Sequence, residues 1–272
     1  MPTPGWERFE AFLWRTSSLL VVAENESLVV DPAISADEVA RIDRTALELG
    51  APVRQVLITH GDWDHVCGIG GFPDAVVAMG EETAAKVEDG SRVQSIQRAV
   101  EAYGFVSSGS PRVDETFARG RAIALGEFVV ETFPLVGHTA DGTGFRLREL
   151  GLLVVGDYLS SVEFPFATSP AAYRLTLAGL IELLGEDPPE TVFPGHGPPL
   201  EAEEALSVAE ADLRYLRSLH AAVVDALARD QTRDEARAAG LAVLLPRECS
   251  PDLEEMRGFN VDRQIEEILP AS

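Results

Sequence analysis

His60, Asp62, Asp64 and His65 put four potential metal ligands into six positions, directly after the apolar run Val56-Leu57-Ile58. Imidazole nitrogen and carboxylate oxygen together suit Zn, Mn or Fe, which accept mixed donors. Three more ligand-type residues stand in glycine-rich turns: His138 in Val-Gly-His-Thr, Asp157 in Gly-Asp-Tyr and His196 in Pro-Gly-His-Gly. Each of the seven follows an apolar strand-like stretch or sits in the turn that ends one. A polar turn or a stray surface histidine explains any single member. It does not explain the set, because four of the five histidines occupy such turns. The fifth, His220, falls in a helical pattern and reads as an ordinary surface residue.

A strand end is a good place for such ligands. The sheet fixes the backbone, and the irregular turn lets neighbouring side chains converge where regular alternation would send them apart. The elements required are visible in the pattern. Residues 19–23 and 27–30 read as paired strands closed by Asp31-Pro32. Ser35-Ala-Asp-Glu38 is a capping box, and Val39, Ile42, Ala46 and Leu49 repeat at helical spacing until Gly50. A strand over 53–59 delivers the ligand cluster at its end, followed by a strand over 75–78 and helices over 81–87 and 93–103. After the loop Ser-Ser-Gly-Ser-Pro at 107–111 come short strands over 122–125, 128–133, 144–147 and 152–155. Ser169-Pro170 opens a helix that runs to Gly185, and a last strand, 191–193, ends at Pro194-Gly-His196. Beyond Pro199 the character changes to long helical patterns over 201–228 and 252–269. Periodicity alone predicts a mixed α/β chain.

The series His60-x-Asp62-x-Asp64-His65, Gly-His138-Thr, Gly-Asp157 and Pro-Gly-His196-Gly resembles the motifs of the metallo-β-lactamase-fold hydrolases, in order and spacing, from the first strands to about residue 200. The resemblance implies an αβ/βα four-layer sandwich over residues 1–200, with 201–272 as a helical C-terminal extension. It implies two divalent ions, Zn, Fe or Mn. His60, Asp62 and His138 would hold one, Asp64, His65 and His196 the other, and Asp157 would bridge them. A hydroxide held there would attack the substrate, with Asp64 orienting it and no serine or cysteine nucleophile required. Two departures stand out. The family usually has histidine at the position of Asp62, and Cys67 stands where a glycine commonly follows the cluster. With carboxylates Asp62, Asp64 and Asp157, two divalent ions leave the core at +1 before hydroxide, one unit less positive than a histidine at 62 would give. That weakens Lewis acidity and favours Mn or Fe over Zn. If Asp62 turns away, one metal remains, at the other site.

Around these ligands, Trp63, Tyr158, Phe164 and Phe166 either wall an apolar substrate pocket or pack between turn and core. Tyr158 is the candidate donor to a developing oxyanion. Cys67 either approaches the metals or is a small buried side chain behind the ligand loop. Cys67 and Cys249 are too few for a disulfide framework.

The formal charge of −23 opposes encounter with nucleic acid or an anionic membrane, which disfavours the nucleases of this family. No apolar run approaches the ~18–20 residues that span a bilayer. The start, Met-Pro-Thr-Pro-Gly-Trp-Glu-Arg, lacks the basic-then-apolar order of a signal peptide, so a cytoplasmic protein is expected. The leading expectation is hydrolysis of a small carboxylic ester, thioester or lactone. The alternatives are a di-iron redox protein resembling the flavodiiron core, a phosphodiesterase, and a metal-free binding relative. Flavodiiron proteins carry a glutamate where Asp62 stands, but normally continue into a flavodoxin-like domain that the residues after Pro199 do not fit. Apolar positions in the tail, Leu206, Leu213, Leu216, Leu219, Val223 and Leu227, then Ile265, Ile268 and Leu269, must bury against the core, a second copy in a homodimer, or the mouth of the site.

Overall fold

Strands whose apolar residues run on without alternation need cover on both faces, and two stacked sheets supply it. In a computed structural model describing residues 5–229 and 231–269, the first sheet takes β1 (Gly5–Glu10), β2 (Ser17–Val22), β3 (Ser27–Val30), β4 (Val53–Ile58), β5 (Val76–Gly80) and β6 (Glu115–Phe117), in that spatial order. β1, β2 and β3 are antiparallel, and β3 to β6 run parallel. The second sheet is ordered β11 (Thr191–Phe193), β10 (Leu152–Val154), β9 (Thr143–Leu147), β8 (Phe128–Pro134), β7 (Ala122–Leu125). The positions Met1–Pro4, Asp230 and Pro270–Ser272, which include the start of the N-terminal reading and the end of the tail, lie outside the described residues.

Alternation along each strand sorts the core into layers. Leu19, Val21, Leu28, Val30 and Leu57 face Phe128, Val130, Phe145, Leu152, Val154 and Phe193 between the sheets. Their neighbours Leu20, Val22, Val29, Val56 and Ile58 turn outward onto α1 (Ala36–Glu48), whose Val39, Ile42 and Ala46 are buried, and onto α4 (Ser91–Tyr103). The capping box at Ser35 and Glu38 forms as expected. On the far side, Leu153, Val155 and Val192 pack under α5 (Pro170–Glu186), which lies against α6 (Ala202–Leu227). Helices, sheet, sheet, helices is the expected four-layer sandwich.

The C-terminal extension divides more finely than its periodicity suggests. α6 is followed by α7 (Arg233–Leu241), α8 (Pro251–Glu255) and α9 (Gly258–Ile268). Leu213, Leu216, Leu219 and Val223 are buried with α5, and Ile265 of α9 joins them, so the apolar stripes cover the second sheet's helix layer. β1, β6 and α7 go beyond the elements that the pattern predicts, and β6 joins the first sheet although it follows the 107–111 loop. Among the described residues no helix is long and apolar enough to cross a membrane.

The parallel strands deliver their C-terminal ends to one rim. β3 ends at Asp31, β4 at Thr59-His60, β10 at Gly156-Asp157 and β11 at Gly195-His196, while the β8–β9 turn carries His138. The Thr143 amide donates to Thr59 O at 2.8 Å, and the Ser17 amide to Gly195 O at 2.7 Å. The two sheets are thus tied together beside the ligands.

Candidate metal centre

The rim brings all seven expected ligands together. His60 Nε2 lies 3.7 Å from Asp62 Oδ2, and His138 Nε2 lies 3.5 Å from the same oxygen. His65 Nε2 and His196 Nε2 lie 3.4 and 3.6 Å from Asp64 Oδ2. Asp157 stands between the two trios: its carboxylate is 3.6 Å from His60, 3.2 Å from His138, 3.1 Å from His65 and 3.3 Å from His196. Donors about 2.0–2.2 Å from one ion lie roughly 2.8–3.6 Å from one another in tetrahedral or octahedral geometry, and all but the His60–Asp62 separation fall in that range. Asp62 occupies the N-cap of the short helix α2 (Trp63–Val66) but makes no side-chain cap bond; its carboxylate faces His60 and His138 instead.

Each imidazole is fixed by its other nitrogen. His65 Nδ1 donates to Asp31 Oδ2 at 2.9 Å, His138 Nδ1 to Phe166 O at 2.8 Å, and His196 Nδ1 to Trp14 O at 3.0 Å. Thr59 Oγ1 donates to Asp31 Oδ2 at 2.7 Å and accepts from His60 Nδ1 at 2.9 Å. With Nδ1–H committed, every Nε2 lone pair faces the centre. Nε2 of His60, His65 and His138 and Oδ1 of Asp157 are buried without a hydrogen-bond partner. Buried polar atoms are normally satisfied. Three of these orphans, on His60, His65 and Asp157, belong to residues whose donor atoms lie within 4.8 Å of one another, as do the trios His60–Asp62–His138 and Asp64–His65–His196, so the residues present fit a metal ion.

Charge points the same way. Burial works against a charged ring, yet Asp157, Asp64 and Asp31 outweigh it and hold His65 well above the ordinary histidine range. Asp157 and Asp62 do the same at His138, and His196 is pushed up to about 10, chiefly by Asp157 and Glu163 against burial. Burial also works against the Asp157 carboxylate, but the surrounding histidines, His196 first, hold it well below the usual range. The carboxylates therefore hold positive charge in this rim, as protons or as metal.

Tyr158 does not take the expected role. Its ring is buried against Tyr173 at 4.2 Å, its hydroxyl donates to Val136 O at 2.9 Å, and it accepts the His138 amide at 3.2 Å. Burial first of all pushes this phenol far above its usual pKa. It props the His138 turn and has no free donor for an oxyanion. Cys67 is the small buried side chain behind the loop; burial raises its thiol to about 11. The tight glycine is the next one, since a Cβ at Gly68 would meet Pro32 O at 1.4 Å. A Cβ at Gly195 would meet Asp157 Oδ1 at 2.3 Å, so only glycine leaves that carboxylate in place.

Several contributors carry no local signal in the sequence. Asp31 closes β3, Thr16 Oγ1 donates to Asp64 Oδ2 at 3.2 Å, and Asp141 Oδ2 accepts the Gly61 amide at 2.8 Å. Lys86, the only lysine of the chain, pairs with Asp141 and so steadies the ligand loop. A cavity of about 350 Å³ opens over Asp62, Asp64, His138, Asp157 and His196. Of the aromatic residues left open between pocket wall and packing, Trp63 and Phe166 line it, whereas Phe164 is buried behind Phe166 with ring centroids 4.3 Å apart.

Residues 12–196 match the Metallo-beta-lactamase superfamily. Among curated relatives, hydroxyacylglutathione hydrolase of Methylobacterium sp. (strain 4-46) is 27% identical over 148 residues, 54% of this chain and 50% of that protein. Hydroxyacylglutathione hydrolase of Acidiphilium cryptum (strain JF-5) is 26% identical over 83% of this chain and 78% of its own length. The match thus spans about half the length of the first of these relatives. A metallo-beta-lactamase family protein from Thermus thermophilus superposes with a TM-score of 0.68 at 18% identity, covering 98% of this chain and 94% of its own; that likeness is one of fold.

Proposed function

The chain belongs to the metallo-β-lactamase superfamily, and from that premise we propose that it is a metal-dependent hydrolase of a small carboxylic ester, thioester or lactone. One observation supports this most: the convergence of four imidazoles on the Asp157 carboxylate, with orphaned buried donors, at the floor of an open cavity. His60, Asp62 and His138 would hold one ion, Asp64, His65 and His196 the other, with Asp157 shared. Bound divalent ions supply an acidified water near neutral pH and a Lewis acid for the carbonyl oxygen. The chain does the rest. Asp64, whose Oδ2 accepts the Thr16 hydroxyl, would orient the attacking water as well as ligate. The Nδ1 bonds hold the four rings rigid, so little reorganisation accompanies the reaction. Trp14, Trp63 and Phe166 line the cavity and would exclude water from a bound substrate.

Asp62 bears on the metal: a carboxylate among the donors supports Mn or Fe over Zn. Activity toward esters or thioesters is favoured over phosphodiesters by the acidic rim and the −23 charge, which repel polyanions. The residues after 200 are proposed as an addition to the catalytic unit 1–200.

The test is elemental analysis of protein purified without added metal, then assay of esters, thioesters, lactones and phosphodiesters. Metal with ester or thioester turnover that is lost in His196→Ala is the expected result. Two irons with an oxygen-dependent optical change and no ester turnover would replace it with a redox function.

A further inference from the structure

The cavity over the candidate metal centre is walled by two aromatic groups from remote parts of the chain. On one side Trp14 meets Trp63 edge-to-face at 5.2 Å, and Trp63 stacks on Tyr103 and Phe105 at 6.3 and 6.1 Å. On the other, Phe166 packs on Phe164 and lies 6.3 Å from Phe259 of α9, with Leu253 and Met256 beside it. At about 350 Å³ the space has the size of a small-molecule site. Met256 is 51% exposed and Trp14 38%, and both line the cavity over the candidate ligands.

Trp14 is held there at a cost. Its φ of 49° lies in the left-handed region, which bulky residues rarely enter, and Arg15 follows at 55°. Such strain persists where surrounding structure demands it. Here the strained turn does two things: Trp14 O accepts from His196 Nδ1, and the indole lies over the cavity. Among the described residues that line the space, the basic side chain besides the histidines is Arg92, and its Nη1 is already 3.5 Å from Asp62 Oδ1. Asp62, Asp64, Asp157 and Glu163 line the same space. A glutathione carrier would bring two more carboxylates to a wall where, among the described residues, no second arginine or lysine meets them.

We infer that this pocket selects an ester or thioester with a bulky apolar acyl group, aromatic or alkyl, and rejects thioesters of a charged peptide carrier. Trp14 and Met256 act as specificity-determining residues, so the C-terminal helices form part of the substrate site. The reaction rests on the hydrolase reading; the selectivity rests on the pocket walls.

The experiment compares kcat/KM of the metal-loaded protein for p-nitrophenyl acetate, hexanoate and phenylacetate, and for S-lactoylglutathione. The constant leaving group isolates the acyl part of the three esters. In parallel, quenching of tryptophan fluorescence by acetate, hexanoate, phenylacetate and glutathione reads binding without turnover, because Trp14 and Trp63 line the site. Phenylacetate and hexanoate esters should exceed acetate about tenfold or more, the scale of a few methylenes in an apolar pocket. Trp14→Ala should cut that ratio about tenfold. Met256→Ala, at an exposed position that does not threaten the fold, should cut it about threefold, and Leu175→Ala on the open face of α5 should leave it unchanged. A ratio near one, a preference for S-lactoylglutathione, or a ratio that survives both pocket variants overturns the inference. If no ester turns over while phenylacetate and hexanoate still bind more tightly than acetate, the hydrolase reading falls and the pocket assignment stands. Ester turnover without acyl preference does the reverse: the hydrolase reading stands and the pocket assignment falls.

Discussion

Replacing Asp31 by Asn tests whether the centre depends on a carboxylate that is not itself a candidate ligand. Asp31 is buried at 3% exposure with φ of 50°, a conformation asparagine tolerates, so the backbone should hold. Its Oδ1 accepts the Thr59 amide at 2.9 Å, and its Oδ2 accepts both Thr59 Oγ1 at 2.7 Å and His65 Nδ1 at 2.9 Å. An asparagine can keep its oxygen toward the Thr59 amide, but then its NH2 faces two donors. His65 relieves the clash by moving its proton from Nδ1 to Nε2, which turns the metal-facing nitrogen from acceptor into donor. One ligand of the Asp64–His65–His196 trio is then lost. Loss of such a supporting partner typically costs 10–100-fold in metal affinity, about 1.4–2.7 kcal/mol. Dialysis against a competing chelator followed by elemental analysis should show Asp31→Asn losing metal at a chelator concentration about 10–100-fold below that which strips the parent. Melting of the metal-free forms separates this from a general loss of fold. If Asp31→Asn holds metal within twofold of the parent, the His65 tautomer is not set by Asp31 and the reasoning fails.

Asp62→His should move metal preference toward Zn in a Zn against Mn competition; an unchanged ratio means that Asp62 does not ligate. Because burial is outweighed by Asp157 at His65, His138 and His196, metal added to the metal-free protein at pH 7 should displace protons and bind more tightly as pH rises. Calorimetry in buffers of different ionisation enthalpy reads that release, and none at all would mean the rings are already neutral. Asp212, buried and paired with Arg247, is pushed up to about 7 by burial against the pull of that arginine. Its folded pKa exceeds its unfolded value, so its contribution to stability is full below about pH 4 and is lost as pH rises through 7. Thermal melts at pH 5 and pH 8 should therefore shift relative stability toward Asp212→Asn at the higher pH, and a pH-independent gap contradicts this.

What the chain discloses in advance follows the range over which each signal acts. The inner strands are legible because both faces are covered, which gives β2, β3 and β4 the apolar runs 19–22, 28–30 and 56–58. β1 is not, since Gly-Trp-Glu-Arg-Phe-Glu is an edge strand with half of its residues exposed and no period to read. Ligand-type residues at strand ends are legible as a set because their turns are rich in glycine, and Gly195 shows why: a side chain there would displace Asp157. Tyr158 misleads because adjacency to a ligand is not proximity to the site. Neighbouring side chains diverge, and where Asp157 turns to the rim, Tyr158 turns into the packing of α5. Asp31 precedes His60 by 29 positions and meets His65 only because β3 and β4 pair in parallel and end at the same rim. The pocket walls are further removed still, for Trp14, Trp63 and Met256 come from three distant segments, and one of them depends on a left-handed turn that no periodicity encodes. A metal centre is written in residue types because only a few side chains can ligate, whereas selectivity is written in shape, which any apolar residue can supply. A sequence of this kind therefore discloses its reaction class before its substrate.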